Sequence, residues 1–470
     1  MNNKNVLKLD YMDDLEKIQK YISESIQVSN ESIQVSKKKQ NGQVFTPFEI
    51  IIKMLDNLDN IYITTYNKSI YSNQNLKWFD NSSGIGNFMI VLYYKLNIGL
   101  NSVIPNDKKR KKHILENMLY MSELDQSNVD KCIKYFNPNN EYKINIYCGD
   151  SLKLDDKKIW NIDYVDIVIG NPPYQKPNNI NNNARGGTNN NIYIDFIIKS
   201  LEQLKNNGYL VYIHPQNWRK IGSTILDSFL SCKIEFLALN YGGKLFKNVS
   251  VNTDLYILCK TAPYNTESII ECYNKQNSLI LTDKFKIDYV GFIPKIYSKD
   301  IQTIISKILL YGENRSCIIN SFCHKITKHV CHKNVKTDKH IYPLYNTSGN
   351  PYDYYSLKQH YDQTKKKVIM SCSGKLSPIY DSGIYGTTQD SMYIIVGGDF
   401  EGNELVKILN SDLYVFLIKI CQWGNFRNEQ KFFSFIKYPK ITINDHIDNT
   451  FIYNYFKLTN NEIDVIIKFK

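Results

Sequence analysis

The sequence predicts an α/β protein, with a mostly parallel sheet over residues 41–260 and an irregular α+β domain over 261–470, behind a helical leader at 1–40. Two observations carry this. Short apolar runs alternate with helical stretches through the first region, the pattern of right-handed crossovers between parallel strands covered on both faces. Beyond residue 260 that rhythm is lost, and short Tyr-rich runs alternate with Lys-rich turns. The 470 residues, 43% of them hydrophobic, are enough for two to three domains with a sizeable core.

Within the leader, "ESIQVSN" at 24–30 is followed directly by "ESIQVSK" at 31–37. Stable coiled coils usually need three or more heptads, so a local duplication in a tolerant tail is the commoner origin of such a pair. Strands are predicted at "LKWFD" (76–80), "MLYMSE" (118–123), "KINIYCG" (143–149), "VDIVIG" (165–170) and "YLVYIHP" (209–215). Helices are predicted at "FEIIIKMLDNL" (48–58), "NFMIVLYYKL" (87–96) and "IDFIIKSLEQL" (194–204). "NDKKRKK" (106–112) reads as a solvated basic loop. "QKPNNINNNARGGTNNN" (175–191) is a low-complexity stretch, placed where a lid or substrate-contacting loop would sit.

Composition narrows the class of protein. The formal net charge of +12 favours a polyanionic partner, although a Lys-rich surface also serves solubility alone. Ten scattered Cys, a polar acid-containing N-terminus and no apolar run near the roughly 20 residues of a membrane span argue for a reducing, intracellular setting: the cytoplasm, or a viral factory or virion. No secretion and no membrane partner are expected.

"FDNSSGIGNF" (79–88) puts an acid at a strand end, then small residues, then two glycines opening a helix. That arrangement lets a ligand lie against backbone at the mouth of a parallel sheet. It lacks the Gly-Lys-Ser/Thr of a phosphate loop, and G-x-G alone is a weak signal. The next predicted strand ends in Glu123 and the one after it in Asp150. Either acid alone is more often a helix cap. Three strand-end acids in register with one glycine loop outline an adenosine pocket.

"GQVFTP" (42–47), "DNSSGIGNF" (80–88), "SELD" (122–125), "GDSL" (149–152) and "GNPPY" (170–174) occur in the order used by amino-group DNA methyltransferases. The chain resembles the gamma class of N6-adenine methyltransferases of restriction-modification type over most of residues 41–260. The resemblance implies a Rossmann-like S-adenosylmethionine-dependent catalytic domain followed by a target-recognition domain. It places Phe45 and Thr46 near the methionine end of the cofactor, Asp80 and Gly84 around its amino group, Glu123 on the ribose and Asp150 on the adenine. Ser82, Gly86, Asn87, Phe88 and Asn171 complete the implied cofactor set. One departure stands out: the family usually carries Pro-Ala-Cys-Gly or similar after the first acid, where this chain has Asn81-Ser82-Ser83-Gly84.

Asn171, Pro172, Pro173 and Tyr174 are the implied catalytic residues. The exocyclic amine of adenine is a poor nucleophile because its lone pair is delocalised into the ring. An acceptor on each amino hydrogen localises that pair; the Asn171 side-chain oxygen and the Pro172 carbonyl are the two candidates. Proline, with fixed φ and no N–H, gives a rigid acceptor-only turn. Tyr174 offers a face for a flipped base, and Phe246, at a position matching the family, a second. His214 is a strand-end histidine that this chemistry does not need. No metal is implied.

In the C-terminal half, "KKVIMSCSGKLSPIYDSGIYGTTQDSMYIIV" (366–396) looks like a segment of target-recognition regions, with Ser373, Lys375 and Tyr385 as DNA contacts at a turn. "NFRNEQKFFSFIKYPK" (425–440) interleaves bases with aromatics, which suits phosphate contact and stacking. Cys317, Cys323, His324, His329, Cys331 and His332 are dense in metal-ligand types, but their spacings match no standard finger. The expected activity is adenine-specific methylation of double-stranded DNA, by a solitary methylase or the modification partner of a separate restriction endonuclease. RNA adenine or protein-glutamine methylation, also served by Asn-Pro-Pro-Tyr, and a non-catalytic DNA-binding relic stand as alternatives.

Overall fold

A computed structural model describes residues 46–175, 191–243, 245–246, 252–261, 266–288, 291–310, 319–320, 331–333, 336–347, 354–423 and 427–470. The leader with its repeat, Phe45, and residues 176–190 of the Asn-rich stretch lie outside the described residues. So do the side chains of the 317–332 Cys/His group. The chain divides into two compact units, residues 1–218 with 225–286, and residues 219–224 with 287–470.

The first unit is built on a nine-stranded sheet. Its strands are β1 (Trp78–Asp80), β2 (Leu119–Glu123), β3 (Asn145–Cys148), β4 (Val165–Gly170), β5 (Leu204–Pro215), β6 (Lys233–Leu239), β7 (Thr253–Cys259), β8 (Ser268–Tyr273) and β9 (Leu279–Phe285). They lie in the order 3-2-1-4-5-7-6-8-9. β3, β2, β1, β4 and β5 pair in parallel, β7 runs antiparallel between β5 and β6, and β9 closes the edge antiparallel to β8. This is the Rossmann-like, mostly parallel sheet expected of the sequence. All five predicted strands form, and β8 and β9 carry the sheet beyond residue 260.

The apolar run of β4 is buried throughout because it is covered on both faces. Helix α1 (Phe48–Tyr66) buries Ile50, Ile51, Met54, Leu55, Leu58 and Tyr62, spaced along one stripe. It ends where Asn67 turns left-handed at φ 55. Helix α2 (Asn87–Gly99) packs with α1 over one sheet face, where Ile50, Met54, Ile90, Ile167, Val211 and Ile257 share a single apolar cluster. Burial of each such side chain contributes about 1.5–3 kcal/mol.

Residues 106–112 are not a loop. Asn106 caps helix α3 (Asp107–His113) by accepting from the Lys109 amide at 2.9 Å. Its acid at the start and bases at the end suit the helix dipole. Arg110 is buried at 6% exposure and donates to the Asn97, Asn101 and Asp107 side chains and to the Ile104 and Pro105 carbonyls. The basic run therefore spends its one arginine on tying the connection to α2, a structural use that composition concealed. Among the described residues four further α-helices follow in this unit: α4 (Gln126–Phe136), α5 (Asp156–Trp160), α6 (Tyr193–Gln203) and α7 (Leu226–Leu230).

The second unit is α+β. A helix at Lys299–Ile308 precedes two four-stranded sheets, and the chain from residue 399 onward is largely helical. In one sheet the strand Lys367–Ser371 pairs antiparallel with Ile379–Asp381 and Ser391–Ile395. Beneath it Lys367 is buried with Asp381 at 2.7 Å and donates to three backbone carbonyls as well. Two aromatics of the 425–440 stretch are withdrawn from any stacking surface. Phe432 and Phe433 are 2% and 1% exposed, so the interleaved pattern is the core stripe of a short helix at Gln430–Phe435. Among the described residues no helix is long and apolar enough to cross a membrane, and no group of three or more His, Cys, Asp or Glu could hold a metal ion.

Candidate active site

The strand order reverses between β1 and β4, since β2 and β3 extend the sheet on one side of β1 and β4 and β5 on the other. Open α/β sheets bind ligands in the crevice outside the carboxyl ends of strands at such a switch. β1 ends there in Asp80 and β4 in Gly170, directly before Asn171. Gly170 has no room for a side chain. A Cβ would meet Asp80 Oδ1 at 2.9 Å and the Tyr212 ring at 3.7 Å.

Asp80 is wholly buried, and burial pushes its carboxyl up to about 8 against the smaller lowering by the Ser82 amide. That amide donates to Asp80 Oδ1 at 3.1 Å, while Oδ2 has no partner. Gly84 and Gly86 take φ 55 and φ 89, which lets the loop turn into α2 without Cβ strain. The Gly84 amide donates to Glu123 Oε2 at 2.8 Å; Glu123 Oε1 accepts from the Asp125 amide at 3.0 Å and from Asn128 at 3.4 Å. The glycine loop and the second strand end are thus locked together. Asp150 is half-exposed and caps the turn that follows it, accepting from the Leu152 amide at 3.1 Å. Phe88 is buried in the apolar cluster.

Asn171 is held from two sides. Its Nδ2 donates to Thr46 Oγ1 at 3.1 Å, and its carbonyl accepts from Ser82 Oγ at 3.2 Å. Its Oδ1 is buried without a hydrogen-bond partner. Thr46 also binds Asn87, whose Nδ2 donates to the Thr46 carbonyl at 3.3 Å and whose Oδ1 is likewise buried and unpartnered. Pro172 is buried. Burial raises the Tyr174 hydroxyl well above the usual phenol range, and the neighbouring Asn171 side chain acts against this without a hydrogen bond of standard geometry.

Four buried oxygens at these loops lack partners: Asp80 Oδ2, Asn87 Oδ1, Asn171 Oδ1 and the Tyr174 hydroxyl. Buried polar groups are normally satisfied, so the three acceptors among them fit a ligand that brings N–H groups. The ammonium of the cofactor that the motif resemblance implies and a substrate amine are groups of that class.

Asn81 has no role that the motifs of the sequence assign. Tyr212 donates to its Oδ1 at 2.6 Å, its Nδ2 donates to Ser200 Oγ at 2.9 Å, and its carbonyl accepts from Ser151 at 2.5 Å. The contact with Tyr212 spans 131 residues of sequence, and no local pattern signals it. His214 is fully buried, with its ring nitrogens on the Pro215 carbonyl at 3.0 Å and the Tyr256 hydroxyl at 2.9 Å. Desolvation lowers it to about 3, so it is neutral and structural. Phe246 is 4% exposed within the apolar cluster and presents no open face.

In the second unit Ser373 is half-buried and its amide donates to the Ser371 hydroxyl at 3.2 Å, while Lys375 is exposed. The Tyr385 amide donates to the Asp381 carboxylate at 3.3 Å, which places this tyrosine on a turn braced by the buried Lys367–Asp381 pair.

Residues 23–244, just under half of the chain, match the family described as Eco57I restriction-modification methylase. An uncharacterized adenine-specific methylase of Mycoplasma pneumoniae (strain ATCC 29342 / M129) is 25% identical over 244 residues. That match covers 38% of this chain and 56% of the relative, so it spans little more than half the length of the curated relative. Among solved structures, the type IIL restriction-modification enzyme MmeI in complex with DNA superposes with a TM-score of 0.58 at 11% identity, covering 83% of this chain and 67% of that one. A nuclease-deletion mutant of the type ISP enzyme LlaGI, bound to a DNA substrate mimic, gives 0.56 at 12% identity over 79% and 44%. At these identities the structures speak for the fold. The strand-end crevice from Asp80 to Tyr174 falls wholly inside the segment that matches the Eco57I restriction-modification methylase family.

Proposed function

We propose that the chain methylates N6 of adenine in double-stranded DNA, using S-adenosylmethionine, on a base flipped into the β1–β4 crevice. The observation that carries this reading is Asn171 Oδ1: a buried acceptor without a donor, at the end of β4, on an amide whose nitrogen is committed to Thr46.

The donor-poor loops suit the cofactor. Asp80 and Asn87 would hold its ammonium, Glu123, already tied to the glycine loop, would use its remaining lone pairs on the ribose, and Asp150 would face the adenine. When bound, the cofactor supplies an electrophilic methyl group on a sulfonium. The chain's part is to hold the target amine with Asn171 Oδ1 and the Pro172 carbonyl, so that both amino protons are accepted and the nitrogen lone pair is localised. Pro173 stiffens the turn, and Tyr174 stacks on the base. A flipped base is required because an amine inside a duplex cannot reach a strand-end pocket. A neutral His214 with both ring nitrogens engaged leaves proton transfer to solvent after methyl transfer. Ser373, Lys375 and Tyr385 of the second unit are the proposed DNA contacts.

Modification-sensitive sequencing of DNA from cells expressing the chain tests this reading. Methylated adenine at a recurring site, lost in Asn171→Ala, is the expected result. Transfer of label from S-adenosylmethionine to RNA or protein with none to DNA refutes it.

A further inference from the structure

Thr46 and Ser82 stand in the cofactor loops by sequence, yet their hydroxyls are spent on Asn171. Thr46 Oγ1 accepts from Asn171 Nδ2 at 3.1 Å and Ser82 Oγ donates to the Asn171 carbonyl at 3.2 Å. The two contacts reach across 125 and 89 residues. They act on the two degrees of freedom that matter at a polarising amide. The Thr46 contact decides which end of the side-chain amide faces away from it, leaving Oδ1 buried and open. The Ser82 contact fixes the peptide plane between Asn171 and Pro172, and hence the path of the chain into the Pro172 carbonyl.

Ser82 is itself held in place. Its amide donates to Asp80 Oδ1, and the preceding Asn81 is clamped by Tyr212, Ser200 and Ser151. Tyr212 and Ser200 are fully buried, and their hydroxyls lie 2.8 Å apart. Asn81 uses its side-chain oxygen, its side-chain nitrogen and its carbonyl within this clamp, which holds the residue next to Ser82 in place.

We propose that Thr46 and Ser82 are positioning residues for Asn171, acting on methyl transfer through the orientation of its amide and not through cofactor binding. The proposal rests on the reading of Asn171 as an acceptor for the target amine.

The test uses the full chain and separates two quantities: the dissociation constant of S-adenosylmethionine by titration calorimetry, and the single-turnover rate of transfer to unmethylated plasmid DNA. Thr46→Val keeps the shape and removes the acceptor; Ser82→Ala removes the donor. Each is expected to slow transfer roughly tenfold, the scale of one lost positioning hydrogen bond, with cofactor affinity within about twofold of the parent. Thr46→Ser and Ser82→Thr restore the hydroxyl and are expected to recover most of the rate. Tyr212→Phe, which loosens Asn81 without touching the site, is expected to slow transfer in the same direction. A loss of cofactor affinity that tracks the loss of rate overturns the proposal and returns both residues to cofactor binding. Unchanged rates in both variants overturn it as well. A parent chain that transfers no methyl to DNA refutes the function itself, a result distinct from either.

Discussion

Asp80→Asn is the most informative change to the site, because the structure assigns Asp80 a cost that depends on pH. The carboxyl is wholly buried, has one backbone donor and faces the negative charge of Glu123. Burial raises it from 3.8 to about 8. In the unfolded chain it ionises near 3.8, so between that value and about 8 the unfolded state is ionised while the folded state keeps its proton. Stability then falls as pH rises through this window and is level on either side. Every tenfold weakening of the acid corresponds to about 1.4 kcal/mol, which makes the full window on the order of 6 kcal/mol as an upper bound. Relaxation and entry of water leave a fraction of it, a few kcal/mol.

Asparagine keeps the shape of the side chain and the Oδ1 that receives the Ser82 amide, but it cannot ionise. Urea denaturation of parent and variant at half-unit steps from about pH 5 to 9, without cofactor, gives the difference in stability at each pH. Other groups that titrate in this range are common to both proteins and cancel. The variant is expected to gain on the parent steadily with pH and to hold a constant advantage above about 8. A cationic ligand beside Asp80 offsets its burial, so saturating S-adenosylmethionine is expected to flatten the parent's slope. Parallel profiles for the two proteins without cofactor would show that Asp80 is ionised in the folded state, and the account of its burial would fail.

Gly170→Ala places a Cβ 2.9 Å from Asp80 Oδ1, and because overpacking typically costs about 1–3 kcal/mol, a lowered urea midpoint together with impaired cofactor binding is expected. Asp381→Ala leaves the Lys367 ammonium buried against carbonyls alone; a loss of about 3–5 kcal/mol is expected by denaturation, and Lys367→Met with Asp381→Leu is expected to recover most of it. Arg110→Ala removes five hydrogen bonds from the α2–α3 connection, and a loss of about 2–3 kcal/mol with little effect on transfer is expected from denaturation and rate measurements side by side.

How much of this was legible in the sequence depended on whether the signal was local. The β4 run and the glycine loop announce themselves because burial on both faces demands an unbroken apolar string and a tight turn demands glycine. The switch point does not follow from motif order, because the strands lie 3-2-1-4-5 in the sheet and their order reverses between β1 and β4. Arg110 and the Phe432–Phe433 pair failed for the opposite reason. Composition says what a stretch contains but not which side faces in, so a basic run hid a buried guanidinium and an aromatic-basic run hid a core stripe. The roles of Thr46, Asn81 and Ser82 lay furthest out of reach. The contacts that Thr46 and Ser82 make with Asn171, and Asn81 with Ser151, Ser200 and Tyr212, span 70 residues or more, and a hydroxyl bears no periodicity that would distinguish a ligand contact from a brace. Motif matching names the residues that meet at a strand end, whereas the division of labour among them is set by hydrogen-bond partners that only the folded chain brings together. On the proposed function the consequence is specific: the loop that would hold the cofactor also holds Asn171 through Ser82, so the cofactor and target sites would share one element.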